Sequence, residues 1–472
     1  MLEPKLVQLT AGSAVLGLVL ATGAVTLAGP WDSGQRTAER ARAAAQARTG
    51  GADHHAPGPQ RPAPAPAPSA PGVLTALAVP RAEAAPKPAA PPAAPAAALG
   101  PLLADPGLGP LRTASVVDAT TGRQLYGSGA TTPMTPASTI KIATSAAALT
   151  ALGPDHRIPT TAVAGPDARR ITLVGGGDPT LDRARLTALA ADTARALRSR
   201  GVTAVTLTYD TSRYTGPERH PIGVNDNIAP VTALMTDEGR LNGSTAGPAP
   251  RSTDPAGDTA RAFAALLGGH GVTTAGPPAR ARAPKKAVPL ARTWSEPLSA
   301  LVERALTHSD NDLAEALARQ TAIASGLPAS FDGAGRAVAQ RLRELRVPLG
   351  GARFADGSGL DRRDRLSAAL LTALLARAAD PSRPHLRPVL TGLPVGGFSG
   401  TLADRYTAGS PGAAGAGLVR AKTGTLTGVN TLAGTVVTAD GRLLAFAFLA
   451  GRTPSAAAAQ PALDRLASAL VP

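Results

Sequence analysis

Ser138 and Lys141 stand three residues apart in Thr135-Pro-Ala-Ser138-Thr-Ile-Lys141, just ahead of an Ala-rich run that ends at Leu149. The run reads as a helix entered through Pro136, so the two side chains share one helical face. A serine hydroxyl is a weak nucleophile until a neighbour takes its proton. An amine one turn away can do so once burial or a second cation suppresses its charge. The helix N-terminus adds backbone N–H groups where negative charge would develop. The lysine is itself informative, because only six of the 48 Lys and Arg residues are lysine: Lys5, Lys87, Lys141, Lys285, Lys286 and Lys422. Arginine does not give up its proton in a protein, whereas lysine can be tuned to act as a base.

Two further motifs follow in order. Ser309-Asp310-Asn311 falls between two helical stretches, and Lys422-Thr423-Gly424-Thr425 lies on an expected strand from Leu418 to Leu426. Each triplet alone is weak; S-x-x-K, S-D-N and K-T-G in this order, with a second lysine in the last, form a specific set.

The elements that must position these motifs can be read by periodicity. Thr113 to Asp118 and Arg123 to Tyr126 read as a hairpin closed through Ala119-Thr-Thr-Gly122. From His156 to about Pro284 strand-like runs (160–163, 170–174, 202–209) alternate with helices expected at 182–199 and 256–267, so residues 156–284 read as an inserted domain. Within it Gly175-Gly-Gly-Asp178-Pro-Thr180 reads as a tight turn rather than a phosphate cradle, since no Lys-Ser/Thr follows. Helices are expected again at 296–306, 312–324, 333–345 and 367–377. The chain closes with strands at 431–438 and 443–450 and an amphipathic helix at 458–470.

Composition bounds the rest. A 472-residue chain with 43% hydrophobic residues can build more than one core, though only 3% of it is aromatic. The net charge of +15 does not point to nucleic acid, because the basic residues are scattered without aromatic interleaving or a basic recognition helix. With no cysteine there is no thiol chemistry, disulfide or Cys-based metal site. Leu9 to Gly29 is an uncharged, mostly apolar stretch spanning roughly 31 Å as a helix. Residues 1–31 are therefore expected to be a signal peptide or a membrane anchor, and the poor cleavage site favours the anchor. Arg36, Arg40, Arg42 and Arg48 follow the span, and by charge alone they would place what comes after it in the cytoplasm. The three motifs argue for the opposite side. Residues 32–100, rich in Ala and Pro, read as an extended tether, and His54-His55 within them as an incidental pair.

With these motifs placed, the chain from about Pro101 onward resembles the low-molecular-mass class C penicillin-binding proteins, which are D-alanyl-D-alanine carboxypeptidases and endopeptidases. Further matching stretches are Asp118-Ala-Thr-Thr-Gly122, Gly176-Gly-Asp-Pro-Thr-Leu181, Ala229-Pro-Val-Thr-Ala-Leu-Met235, Asp356-Gly-Ser-Gly-Leu360 and Gly400-Thr-Leu-Ala403. The resemblance implies an α/β (α+β) fold of the penicillin-binding-protein/serine β-lactamase type: an antiparallel sheet flanked by helices, a helical subdomain, and an inserted α/β domain. The catalytic domain would then comprise residues 101–155 and 285–472. Ser309 follows Ser138 by 171 positions, which suits an insertion shorter than in the larger members.

The resemblance also implies roles. Ser138 would attack the carbonyl between two D-alanines of a peptidoglycan stem peptide and form an acyl-enzyme, which β-lactams would mimic covalently. Lys141 would be the base, kept neutral by Lys422. Ser309 would pass a proton to the leaving amine, and Asn311 would hold Lys141 and the substrate amide. The N–H groups of Ser138 and Thr425 would form the oxyanion hole. Thr423 and Thr425, flanking Gly424, would hold the terminal carboxylate. Asp210 and Arg362 align with positions that bind the peptide side chain, although Asp361 stands where the family usually has Ser. No cofactor or metal is implied. Glu238-Gly-Arg-Leu-Asn242 matches a class A β-lactamase deacylation motif, but it precedes S-D-N instead of following it, and reads as coincidence. Two other readings keep the same fold: a serine β-lactamase, and a non-catalytic wall-binding or sensor protein. The absence of G-x-S-x-G and H-E-x-x-H argues against a Ser-His-Asp hydrolase and a zinc peptidase.

Overall fold

The strict alternation of residues 443–451 accounts for the centre of the molecule. In the strand Leu443–Gly451, Ala445, Ala447 and Leu449 face one core, while Leu444, Phe446, Phe448 and Ala450 face another. Both faces of this strand are therefore dry, as expected of a strand in the middle of a helix-covered sheet. The computed structural model describes residues 94–471 apart from 167 and 439. The apolar span 9–29, residues 32–93 of the tether and His54-His55 lie outside them.

In chain order the main elements are α1 (Ala94–Leu103), β1 (Leu111–Asp118), β2 (Gln124–Ser128), α2 (Ile140–Leu152), β3 (Pro159–Ala164), β4 (Arg170–Val174), α3 (Arg183–Arg198), β5 (Ala204–Asp210), α4 (Pro255–Gly269), β6 (Thr273–Thr274), β7 (Ala279–Arg280), β8 (Val288–Trp294), α5 (Leu298–Thr307), α6 (Asn311–Ala324), α7 (Phe331–Glu344), α8 (Ala368–Ala379), β9 (Val419–Leu426), β10 (Val429–Val437), β11 (Leu443–Gly451) and α9 (Ala456–Ser468). β2-β1-β11-β10-β9 form an antiparallel five-stranded sheet. One face packs on α2 and α5–α8, the other on α1 and α9. Small residues on the first face (Ala433, Ala445, Ala447) let the helices approach closely, and Ser115 Oγ meets Thr372 Oγ1 of α8 at 2.9 Å. α2 is buried over ten consecutive residues, Ile140 to Leu149, which its alanines permit by occupying little volume.

The second sheet, β6-β5-β4-β3-β8 with β7 also on β5, is mixed. β4 and β5 are parallel and joined through α3, a crossover that closes a separate core under α3 and α4. Together the two sheets give the expected α/β architecture. Two boundaries differ from the sequence reading. α1 begins inside the Ala/Pro-rich stretch, and its Leu99 is fully buried beside Leu103. Composition concealed it, because Ala and Pro dominate there. β8 lies beyond Pro284 but pairs with β3 in the second sheet. Its Pro289 and irregular alternation hid a strand that sits at the sheet edge, where proline is tolerated. Lys285 and Lys286 are exposed just before it. No helix among the described residues is long and apolar enough to cross a membrane.

The chain has only six phenylalanines, and Phe446 and Phe448 stack at 5.2 Å between the main sheet and α9. We predict that Phe446→Ala lowers the unfolding free energy by about 3–5 kcal/mol, read as a lower denaturant midpoint with an unchanged slope.

Candidate active site

Ser138 lies in a single 3-10 turn, Ala137–Thr139, that leads directly into α2. Ala137 is held at φ +47°, and three neighbours press on the turn. Thr431 Oγ1 and Thr139 Oγ1 both donate to the Pro136 carbonyl, at 2.8 and 2.6 Å. A β-carbon at Gly424 would fall 2.1 Å from Thr431 Oγ1 and 2.8 Å from the Pro136 oxygen. One at Gly359 would fall 2.1 Å from the Ala137 oxygen. The glycine of K-T-G is thus required by the approach of β9 to the serine turn.

Lys141 Nζ is completely buried and lies 2.9 Å from Ser138 Oγ. It donates to Asn311 Oδ1 at 2.7 Å and to the Ser358 carbonyl at 2.6 Å. Two of these partners can only accept, so a neutral amine must spend both N–H groups on them, which turns its lone pair toward the Ser138 hydroxyl. Burial lowers the Lys141 pKa to about 8, against the opposing pull of Asp356, Asp310, Glu315 and Asp312. Burial is the largest cause of the depression at Lys141, and the buried Lys422 amine repels a charge on Lys141 as Lys141 repels one on Lys422. Lys422 is the more strongly affected of the two, held well below the ordinary lysine value by burial and then by the Lys141 charge. It is fully buried, and its Nζ donates to the Thr423 carbonyl at 2.8 Å.

The three residues of S-D-N do different work. Ser309 takes a left-handed conformation (φ +57°) and borders the cavity in front of Ser138. Asp310 caps α6 by accepting the Leu313 amide at 3.0 Å. Asn311 opens α6, with Oδ1 on Lys141 and Nδ2 donating to the Asn227 carbonyl at 3.0 Å. Thr423 and Thr425, on one face of β9, border the same cavity of about 420 Å³. Thr423 Oγ1 meets Thr401 Oγ1 at 2.8 Å. Ser138, Ser309, Asn311, Thr423 and Thr425 therefore converge, with Lys141 and Lys422 buried behind them.

Asp210 and Arg362 do not border this cavity. Asp210 is buried at the end of β5, where its two oxygens accept the amides of Ser212 (2.7 Å) and Ala283 (2.8 Å). Those bonds make it a turn-fixing residue. Arg362 is exposed and donates to the Thr427 carbonyl at 2.9 Å, in a neighbouring groove past the end of β9. Asp361, standing where the family usually has Ser, pairs with the Arg363 guanidinium. Glu238 is buried behind Ser309-Asp310, where it accepts from Arg240 Nε at 2.8 Å and from Arg304. Burial and nearby Asp310 push its carboxyl up to about 8. It does not reach the cavity, in keeping with a coincidental motif match.

Sequence reasoning missed Ser358, Thr401, Arg240 and Arg251. Arg240 and Arg251 border the cavity from the second region and pair with acids of the S-D-N segment, Arg251 Nη1 lying 3.0 Å from Asp312 Oδ2. The stretches carrying Ser358 and Thr401 were visible, but Ser358 acts through its main-chain carbonyl, which leaves no side-chain signal. We predict that Gly424→Ala abolishes labelling of Ser138 by a fluorescent penicillin while the thermal transition remains cooperative.

Comparison with known proteins agrees with this geometry. The profile of the D-Ala-D-Ala carboxypeptidase 3 (S13) family matches residues 96–252 and 243–470. The chain is 39% identical to carboxypeptidase DacB of Mycolicibacterium smegmatis over 388 residues, covering 79% of this chain and 83% of that one. It is also 39% identical to a carboxypeptidase of Mycobacterium tuberculosis over 434 residues, covering 88% and 91%. The crystal structure of penicillin binding protein 4 from Haemophilus influenzae superposes with a TM-score of 0.65 at 21% identity, over 75% of this chain and 95% of that one, and so shares the fold. Motifs, geometry and sequence together show that the chain belongs to the D-Ala-D-Ala carboxypeptidase 3 (S13) family and is a serine-type peptidase of the penicillin-binding fold.

Proposed function

We propose that this protein cleaves the terminal D-Ala-D-Ala bond of peptidoglycan stem peptides, and cross-links of the same chemistry, through an acyl-enzyme on Ser138. The observation that carries this reading is Lys141 Nζ, buried between Ser138 Oγ, Asn311 Oδ1 and the Ser358 carbonyl. Lys141 takes the serine proton as Oγ attacks, and the N–H groups of Ser138 and Thr425 receive the oxyanion. Ser309, on the cavity wall, returns a proton to the leaving amine. Asn311 Nδ2, with one N–H on Asn227, has a second for the substrate amide. Thr423 and Thr425 hold the terminal carboxylate, and Thr401 orients the Thr423 hydroxyl. Lys422, whose hold on a proton is weakened by burial and by the Lys141 charge, stands behind the site with its Nζ on the Thr423 carbonyl. β-Lactams are covalent inhibitors that occupy the same serine. A crystal structure of the Haemophilus influenzae penicillin binding protein 4 with a β-lactam is of this fold (TM-score 0.63).

The substrate lies outside the cytoplasm, so the reading places residues 1–31 in the membrane or in a secretion signal, with the active domain in the cell wall space. The three motifs and the length of the apolar span support it.

Ser138→Ala is expected to abolish both penicillin labelling and release of D-alanine; a variant that still labels would sink the assignment. In the wild type a long-lived adduct is expected. An adduct that disappears in seconds would favour a β-lactamase, and no adduct in a folded sample would favour a wall-binding or sensor protein. The second-order acylation constant reports the free enzyme, and its base must be neutral. It is therefore expected to rise tenfold per pH unit below about 8 and to level off above, following Lys141. A profile flat from pH 6 to 9 would overturn a Lys141 amine that gains its proton near pH 8.

A further inference from the structure

His220 is the most deeply buried histidine near the site, and the mechanism above does not use it. It comes from the stretch between β5 and α4, in the second region, yet its side chain is wholly enclosed beside the Asp356 loop. Its Nε2 lies 3.0 Å from Asp356 Oδ2, and its Nδ1 receives the Ile222 amide at 3.3 Å. Asp356 Oδ1 accepts the Gly359 amide at 2.6 Å. That amide belongs to the same peptide unit as the Ser358 carbonyl, on which Lys141 Nζ rests at 2.6 Å. An unbroken chain therefore runs from Lys141 Nζ to the Ser358–Gly359 peptide, to the Asp356 carboxylate and to the His220 ring. A peptide whose N–H is held by a carboxylate has a more negative carbonyl oxygen, and so a stronger hold on an amine.

The surroundings fix the chain at every link. Glu315, four residues after Asn311 on α6, accepts the amides of Gly357 and Ser358 at 3.0 and 2.9 Å. Thr144 Oγ1 of α2 donates to the Gly357 carbonyl at 2.8 Å. The His220 ring meets Phe331 edge-on at 5.4 Å, and Arg319 covers Phe331 at 4.3 Å. Burial would raise the pKa of Asp356; the bond from His220, with those from Asp364 and Gly359, holds it at about 2. Asp356 is thus ionised throughout the working range and heads the charges that favour protonated Lys141, ahead of Asp310, Glu315 and Asp312. Neighbouring carboxylates draw His220 toward protonation, whereas the Ile222 amide favours a bare Nδ1. Nε2 carries its proton toward Asp356 in either state.

We propose that His220 and Asp356 are positioning residues for the acylation step, acting on Lys141 through the Ser358–Gly359 peptide. The inference rests on Lys141 being the base of the proposed reaction. Neither residue touches substrate. When Lys141 takes the Ser138 proton, the carboxylate stabilises the new charge along the chain, and His220 keeps that carboxylate in place and partly balanced.

The test is acylation of the full chain by a chromogenic β-lactam from pH 6 to 10, in wild type, His220→Leu, His220→Gln and Asp356→Asn. The other groups that share the field, Asp310, Asp312, Glu315, Asp361, Arg319 and Lys422, are left in place. His220→Leu leaves Asp356 unbalanced, so the acid limb set by Lys141 moves to higher pH, and acylation slows roughly ten- to hundredfold as the amine loses its seat. His220→Gln, which can still donate to Asp356, recovers most of that loss. Asp356→Asn removes the charge, and its limb moves to lower pH; Asp364, whose proton is held by burial and by Asp356, is changed to Asn in the same variant so that it does not ionise in its place. Limbs displaced in opposite directions are the signature, because a merely structural role would slow both variants without separating them. Folded variants whose limbs stay at the wild-type position, or move together, overturn the proposal. Should His220→Leu fail to fold, the limb of Asp356→Asn decides: a downward move supports the proposal and no move overturns it. A wild-type protein that is not acylated at all overturns the proposed reaction, and this inference with it.

Discussion

A lysine amine buried without a carboxylate in contact is the constraint on which the site depends. Removing an ammonium from water is so unfavourable that the group sheds its proton unless it is paired. Lys141 is held between these limits. Its nearest partners are two carbonyl-type oxygens and a hydroxyl, while the acids that would fix its charge stand one layer back. A direct ion pair would have locked the proton on the amine. Full exposure would have left it at the ordinary lysine value, too basic to be neutral near pH 8.

The rest of the molecule serves that arrangement. α2 can run through the interior because its alanines let α5, α6, α7 and α8 close around it. β9 can bring Thr423 and Thr425 alongside because Gly424 has no side chain to strike Pro136. α6 contributes both Asn311, on the amine, and Glu315, on the loop that supplies the Ser358 carbonyl. The second region is part of the same construction: its stretch between β5 and α4 sends Asn227, His220, Glu238, Arg240 and Arg251 against the S-D-N segment and the Asp356 loop.

How much of this was legible in the sequence follows from what each residue does. Ser138, Lys141, Asn311 and Lys422 act through side chains whose chemistry restricts the residue type, and the scarcity of lysine marked two of them in advance. The short apolar runs that become β10 and β11 and the 3.6-residue rhythm of α3 to α8 were equally plain. Asp210 and Arg362 were carried over by alignment alone; in the fold Asp210 accepts two main-chain amides and Arg362 donates to the Thr427 carbonyl. Ser358 could not be found, because its working atom is common to every residue. Nor could His220, whose role exists only once a loop 136 residues further on lies beside it. β8 and α1 escaped because a proline-bearing edge strand and an Ala/Pro-rich helix carry weak periodic signals.

The exposed pair Lys285-Lys286 has a practical consequence. Among the described residues the other two lysines, Lys141 and Lys422, have no accessible surface. Amine-directed reagents therefore meet one side-chain address on the described surface, in the loop entering β8, on the sheet remote in sequence from K-T-G. Succinimide dyes or biotin coupled at Lys285-Lys286 would leave the serine cavity unmodified, because Lys141 and Lys422 present no surface to the reagent. Arginine-rich composition has in effect confined the reactive amines of the described surface to a loop away from the catalytic serine.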